Sequence, residues 1–301
     1  MKWKGVMPAM TTAFHPDLAL NHQAIAKRAQ WMIESGCTGI VALGSLGEAA
    51  TLDMKEKSAV LETVRAAVDA PVVSGVSALS TSEAVSIAEM AAGAGCDGLM
   101  VLPPYVYRGD WREMKAHVAA VFQATKLPCM LYNNPIAYGT DFTPEQIAEL
   151  AAEHENFAAV KESSTDIRRV TAIRALVDDR LAIFVGVDDA IVEAIAAGAT
   201  GWIAGLVNAF PEESVALFEL ASAGRWQDAY ALSRWFLPLL RLDTLPKFIQ
   251  MIKFAEERAG VGTATVRPPR LELAGDERTA IAELIDAAIT TRPAVLVEKK
   301  S

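Results

Sequence analysis

The stretch "GAGCDGLMVLP", Gly93–Pro103, decides the fold. It ends a helix-period segment on glycine, turns within a few small residues, and enters a continuous apolar run. "ESGCTGIVALG" (Glu34–Gly44) and "AAGATGWIAGL" (Ala196–Leu206) repeat the pattern. Glycine past a helix end supplies the left-handed cap, and the small residues permit a tight turn. Apolar runs that do not alternate with polar residues are buried on both faces, as in a parallel sheet covered by helices.

Working outward, strand candidates start at Gly5 ("GVMPAMTT"), Gly39 ("GIVALG"), Pro71 ("PVVSGVS") and Gly98 ("GLMVLPP"). Four more start at Pro128 ("PCMLYNN"), Phe157 ("FAAVKES"), Leu181 ("LAIFVGV") and Gly201 ("GWIAGLV"). Helical period fills the gaps at 23–34, 55–68, 81–92, 111–124, 144–153, 167–177, 189–196 and 212–221. Eight strand–helix units in about 220 residues predict a (β/α)8 TIM barrel. A doubly wound sheet is the alternative, but the first strand–helix turn lacks the GxGxxG phosphate fingerprint. Past "ASAGRW" only helical period remains, in "DAYALSRWFLPLL", "LPKFIQMIKFAEERAG" and "DERTAIAELIDAAIT". The division expected is therefore a barrel with the active site over 1–223 and a C-terminal helical extension over 224–301. The last residues, Val297–Ser301, read as a frayed tail.

Composition narrows the function. The chain of 301 residues has a formal charge of −9 and no basic block, which argues against a phosphate-backbone partner. Cys37, Cys96 and Cys129 are too scattered for a disulfide framework, and the four histidines show no metal-ligand spacing. No metal site is expected. Pro8 and the polar Thr11–Thr12 pair interrupt any signal-peptide core. The apolar run Ala190–Phe210 resembles a membrane span, but Glu193 and three glycines split it into a helix and a strand. A soluble, cytoplasmic protein is expected.

Barrel active sites lie at the C-terminal ends of the strands. One such end, "NFAAVKESST", places Lys161, the only lysine between Lys126 and Lys247, at the end of a run of small apolar residues. A buried ammonium is disfavoured and its pKa falls, which suits a nucleophile that condenses with a ketone to give a Schiff base. The plainer alternatives are a lysine that reaches water or one paired with a carboxylate such as Asp188. Tyr132 ends the preceding strand, within reach for proton transfer to the carbinolamine, unless it only caps the barrel mouth. "GSLGE" (Gly44–Glu48) follows a strand, and its backbone N–H groups suit a carboxylate; Ser45 adds a hydroxyl that hands a proton to Tyr132. Taken alone, the Gly-x-x-Gly spacing describes just a tight turn. Glu48 reads as a helix N-terminal charge. "GVDD" (Gly186–Asp189) offers two carboxylates for substrate hydroxyls, one of them equally a helix cap. A paired-carboxylate glycosidase using Glu48 and Asp188 would leave Lys161 unexplained.

On these motifs the chain resembles the dihydrodipicolinate synthase/N-acetylneuraminate lyase family of class I, Schiff-base lyases. The resemblance covers nearly all of the chain: "GSLGE" is similar to the family's GTTGE or GSTGE, "YNNP" to its YNxP, and "VKESS" to its KxSS strand. It implies Lys161 as the Schiff-base lysine, Tyr132 as the proton-transfer tyrosine and Ser45 as the first hydroxyl of the carboxylate site. Gly44 and Gly47 match the turn glycines, and Leu46 stands where the second hydroxyl would be, leaving its N–H. Asn134, Gly186, Asp188, Asp189 and Gly205 complete the expected substrate rim. No cofactor is implied beyond the covalent imine, and a homotetramer built from dimers is the implied assembly.

Two departures bear on the reaction. Ala137 occupies the place of the arginine that binds the aldehyde substrate's carboxylate in dihydrodipicolinate synthases, so that activity is disfavoured. The second relay tyrosine would fall near Val106, with Tyr105 and Tyr107 flanking it. "YNNP", "KESS" with "DIRR", "GVDD", "WFLPLL" and "TVRPPRLEL" together resemble the deaminases of 1-pyrroline-4-hydroxy-2-carboxylate, which yield 2,5-dioxopentanoate in bacterial hydroxyproline breakdown. The alternatives are a pyruvate-dependent aldolase or dehydratase on a sugar-derived 2-oxo acid, and a barrel that binds a small carboxylate without turnover.

Overall fold

The computed structural model describes residues 1–105 and 107–293. Val106 and the tail Val297–Ser301 therefore lie outside the described residues. Eight strands alternate with helices in the first three quarters of the chain. The first half runs β1 (Gly5–Pro8), α1 (His22–Glu34), β2 (Ile40–Ala42), α2 (Met54–Ala67), β3 (Val72–Val76), α3 (Thr81–Gly93), β4 (Gly98–Val101) and α4 (Trp111–Ala124). It continues with β5 (Cys129–Asn133), the single-turn α5 (Pro135–Tyr138), α6 (Pro144–Glu153), β6 (Phe157–Glu162), α7 (Arg168–Val177), β7 (Ala182–Val185), α8 (Ile191–Ala196), β8 (Gly201–Ala204) and α9 (Pro211–Ser222). Three helices follow: α10 (Trp226–Leu240), α11 (Phe248–Arg258) and α12 (Gly275–Thr290).

Helix starts are written locally. Asp53 and Glu56 close a reciprocal box on α2, Asp110 and Glu113 on α4, and Thr143 and Gln146 on α6, each satisfying N–H groups a helix start leaves open. The expected helix at 189–196 begins only at Ile191, because Asp188–Ala190 forms a separate 3-10 turn.

All strand pairs are parallel, in the order β1-β8-β7-β6-β5-β4-β3-β2. The ring closes between β1 and β2 through an isolated bridge, Ala9 to Val41, with Thr38 N–H on Val6 O at 2.8 Å and Met10 N–H on Val41 O at 2.9 Å. This is a TIM barrel with a helical C-terminal region. The strands are buried from end to end apart from Ala158 and Ala182, which explains their unbroken apolar sequences. The membrane-like stretch resolves into α8 and β8, and no helix among the described residues is long and apolar enough to cross a membrane.

Candidate active site

Register puts the two candidate catalytic side chains together. Tyr132 on β5 is the direct partner of Lys161 on β6, so both point to the same face of the sheet. Lys161 Nζ lies 4.1 Å from the centre of the Tyr132 ring. The lysine is only 5% exposed, and no carboxylate among the described residues comes within ion-pair distance of it. Neither alternative read from sequence holds: it does not reach bulk water, and it does not pair with Asp188. Burial pulls its amine down to about 8, against the opposing pull of Asp243 and Asp188. Burial also pushes the Tyr132 phenol up to about 12, so it is a neutral donor at pH 7.

The lysine opens into a cavity of about 400 Å³ at the C-terminal mouth of the barrel. Gly44, Ser45, Leu46, Tyr132, Asn134, Lys161, Gly186 and Gly205 all line it. Asn134 Nδ2 donates to the Tyr132 hydroxyl at 3.0 Å. A side chain at Gly186 would collide with Lys161 and Ser163, so glycine keeps the lysine's swing space open. Ser163 Oγ sits beside the Tyr132 phenol without reaching hydrogen-bond geometry and has no other partner. Ser45 meets a different tyrosine from the one expected: its hydroxyl bonds to Tyr138, on α5, rather than to Tyr132. Ala137 also lines the cavity, and Lys161 is the only cation among its lining residues.

Three expected site residues do not face this cavity. Asp188 is fully buried and accepts from Trp202 Nε1 at 3.0 Å, Gly205 N at 3.1 Å and Leu206 N at 2.9 Å. It ties the end of β8 to the loop after β7, and burial raises its carboxyl to about 6. Asp189 reaches Arg241 at 3.5 Å. Gly47 is a turn residue whose Cβ would press on the backbone of Leu43 and Met10.

Glu48 does more than was expected of it. It stands at the start of the 3-10 turn Ala49–Thr51 without capping it by its side chain, while Asp53 caps α2. Its buried carboxylate takes Lys253 Nζ of α11 at 2.6 Å and the Arg267 N–H at 3.0 Å. Beside it, Arg28 and Thr11 both bond Glu256 Oε1, at 2.8 Å and 2.7 Å. This buried charge network anchors the Gly44–Glu48 loop to the C-terminal helices and excludes a Glu48–Asp188 glycosidase pair.

Sequence reasoning missed Asp243 and Thr244, which line the cavity from the 3-10 turn Arg241–Thr244 between α10 and α11. Asp243 is partly buried beside Gly205, where any Cβ would overlap its carboxyl group. Among the described residues, no group of three or more His, Cys, Asp or Glu could hold a metal ion.

A lysine and a tyrosine are thus paired across adjacent strands of a barrel, beneath a glycine-bounded loop. The profile of the dihydrodipicolinate synthetase family matches residues 2–288. The chain belongs to that family. It is 30% identical over 284 residues to a 4-hydroxy-tetrahydrodipicolinate synthase of Methanothrix thermoacetophila, spanning 94% of this chain and 96% of that one. It is 29% identical over 293 residues to "Probable 2-dehydro-3-deoxy-D-pentonate aldolase YjhH" of Escherichia coli K12, spanning 95% and 97%. Among solved structures, a dihydrodipicolinate synthase of Bacillus anthracis superposes with a TM-score of 0.91 at 26% identity, over 95% of this chain and 99% of that one. YagE of E. coli K12, solved with pyruvate, gives 0.90 at 25% identity, over 95% and 99%. The dihydrodipicolinate synthetase family comprises pyruvate-dependent lyases and aldolases that work through a covalent lysine imine without a cofactor. Its members act on small molecules and are generally oligomeric.

Proposed function

We propose that this family member deaminates 1-pyrroline-4-hydroxy-2-carboxylate to 2,5-dioxopentanoate, in hydroxyproline breakdown. The observation that carries the reading is the charge content of the cavity: among the described lining residues Lys161 is the only cation, and Ala137 lines it at the place where the resemblance implies an arginine in dihydrodipicolinate synthases. A second substrate carboxylate would be buried there without a partner, at a cost of several kcal/mol. A substrate with one carboxylate, one imine and one hydroxyl suits such a lining better.

Lys161 attacks C2 of the cyclic imine and opens the ring, leaving the former ring nitrogen as an amine on C5. The substrate carboxylate rests on the N–H groups of Ser45 and Leu46 and on the Ser45 hydroxyl. The imine acidifies C3; Tyr132 moves the proton, and the C4 hydroxyl leaves as water. The C5 amine becomes an imine by tautomerisation and is hydrolysed to an aldehyde and ammonia. Hydrolysis of the lysine imine then frees the product, with a net uptake of one water. A cytoplasmic homotetramer built from dimers belongs to the same reading.

Incubation with the pyrroline is expected to release ammonia and 2,5-dioxopentanoate in equal amounts, and borohydride is expected to fix a five-carbon adduct on Lys161. A second reading, a carbon–carbon lyase on a sugar-derived 2-oxo acid, draws on the YjhH relative. Pyruvate released from such a substrate, with no ammonia from the pyrroline above an enzyme-free control, would replace the first reading with the second.

A further inference from the structure

Three titratable groups meet at the mouth of the barrel: Lys161 and Asp188, both buried, and the partly buried Asp243. Their hydrogen bonding differs sharply. Asp188 accepts from one indole and two backbone N–H groups, all fixed. Asp243 lines the cavity, and its Oδ1 is shielded from solvent with no hydrogen-bond partner among the described residues. Donors stabilise a carboxylate, and their lack favours the acid form, because an unpartnered buried charge is costly. Of the two acids, Asp188 is the one held as a carboxylate by its donors, and Asp243 is the one whose surroundings favour the acid form. Burial and the nearby Asp188 both push the Asp243 carboxyl well above the usual carboxylate range, against the pull of Lys161.

The position of Asp243 is built. Arg241, two residues earlier, reaches Asp189 at 3.5 Å, so the 3-10 turn lies against the loop that follows β7. Gly205 leaves open the volume that the carboxyl group fills. An unpaired acid held above a Schiff-base lysine, on the side supplied by the C-terminal helices, needs a ligand atom to complete it.

The geometry points to Asp243 as the acid that protonates the leaving hydroxyl of the substrate, an assignment that rests on the deaminase reading. In that step the enamine pair between C2 and C3 forms the C3–C4 double bond, and the C4–O bond breaks. The hydroxyl takes the Asp243 proton and departs as water. The resulting carboxylate regains a proton from the water that later hydrolyses the C5 imine, so no other reactant is required. A carbon–carbon lyase would need no acid at this place.

The test compares wild type with Asp243→Asn, and with Gly205→Ala, whose methyl group would displace the carboxyl. Two rates are read: ammonia release from the pyrroline, and deuterium exchange into the methyl group of pyruvate. Exchange needs the lysine imine but no leaving group. Loss of a general acid lowers ammonia release by about 100-fold or more, while exchange falls by less than about 10-fold in both variants. Borohydride should still trap Lys161, with an adduct one water heavier than the dehydrated one. Ammonia release near the wild-type rate in Asp243→Asn would overturn the assignment and leave the deaminase reading standing. Equal loss of both rates would reduce Asp243 to a structural support for Lys161. Wild type that exchanges pyruvate but releases no ammonia would remove the deaminase reading, and this assignment with it.

Discussion

Lys161 sits where solvation would not put it. Holding an amine at about 8 instead of 10.5 costs the fold about 3 kcal/mol, at about 1.4 kcal/mol per tenfold change in proton affinity. The unfolded chain binds the proton more tightly, so stability rises with pH between about 8 and 10.5, and the full cost applies below that window. Lys161→Met, of similar length without the charge, should gain about 2–3 kcal/mol in urea unfolding at pH 7. It should also lose the borohydride adduct. An unchanged unfolding midpoint would mean that the amine is better accommodated than its surroundings show. Imine formation in the wild type should speed up as pH rises through about 8, where the free amine appears. This residue was legible because a lysine stands at the end of a short apolar run in a buried strand, and strand pairing then places Tyr132 opposite it. Asp243 carries no such mark. It stands among Arg241, Leu242 and Thr244 in a helical segment, where a carboxylate ordinarily faces water.

At the scale of elements, the Gly44–Glu48 loop depends on partners far away in sequence. Leu43 and Glu48, which bound it, have left-handed backbones, with φ of 59° and 52°, a conformation that side chains other than glycine's adopt only under constraint. Leu43 is accommodated because Gly75 has no side chain at the point where its carbonyl passes. Glu48 is held by Lys253, 205 residues on. Removing one partner of a buried pair strands the other charge, so Lys253→Met should cost about 3–5 kcal/mol in stability. Glu48→Gln added to it should recover a good part of that loss. A single variant that unfolds at the wild-type midpoint would show that the loop stands without its clasp. The loop itself was legible from its glycines, but its support was not, because an ion pair between α11 and a β–α turn leaves no local pattern. For the same reason Ser45 was expected to serve Tyr132 and is found bonded to Tyr138.

The whole molecule joins the barrel to its C-terminal helices through the site. Phe236, Leu239, Leu240, Ile249, Ile252 and Phe254 are all buried, and the turn between α10 and α11 supplies cavity wall. A chain ended at residue 223 should lose near-ultraviolet circular dichroism and form no borohydride adduct; native spectra with full trapping would make those helices dispensable. The barrel was legible because its repeat is local: glycine cap, tight turn, apolar run. How the ring closes was not, since one bridge beside two hydrogen bonds writes no repeat. That joint has a mechanical consequence. In the strand order, the β5–β6 pair lies diametrically across the ring from the β1–β2 joint. A hoop with one lightly stitched seam flexes there first, so thermal breathing of the barrel is taken up far from Tyr132 and Lys161. The two reacting groups keep their spacing while the opposite wall yields.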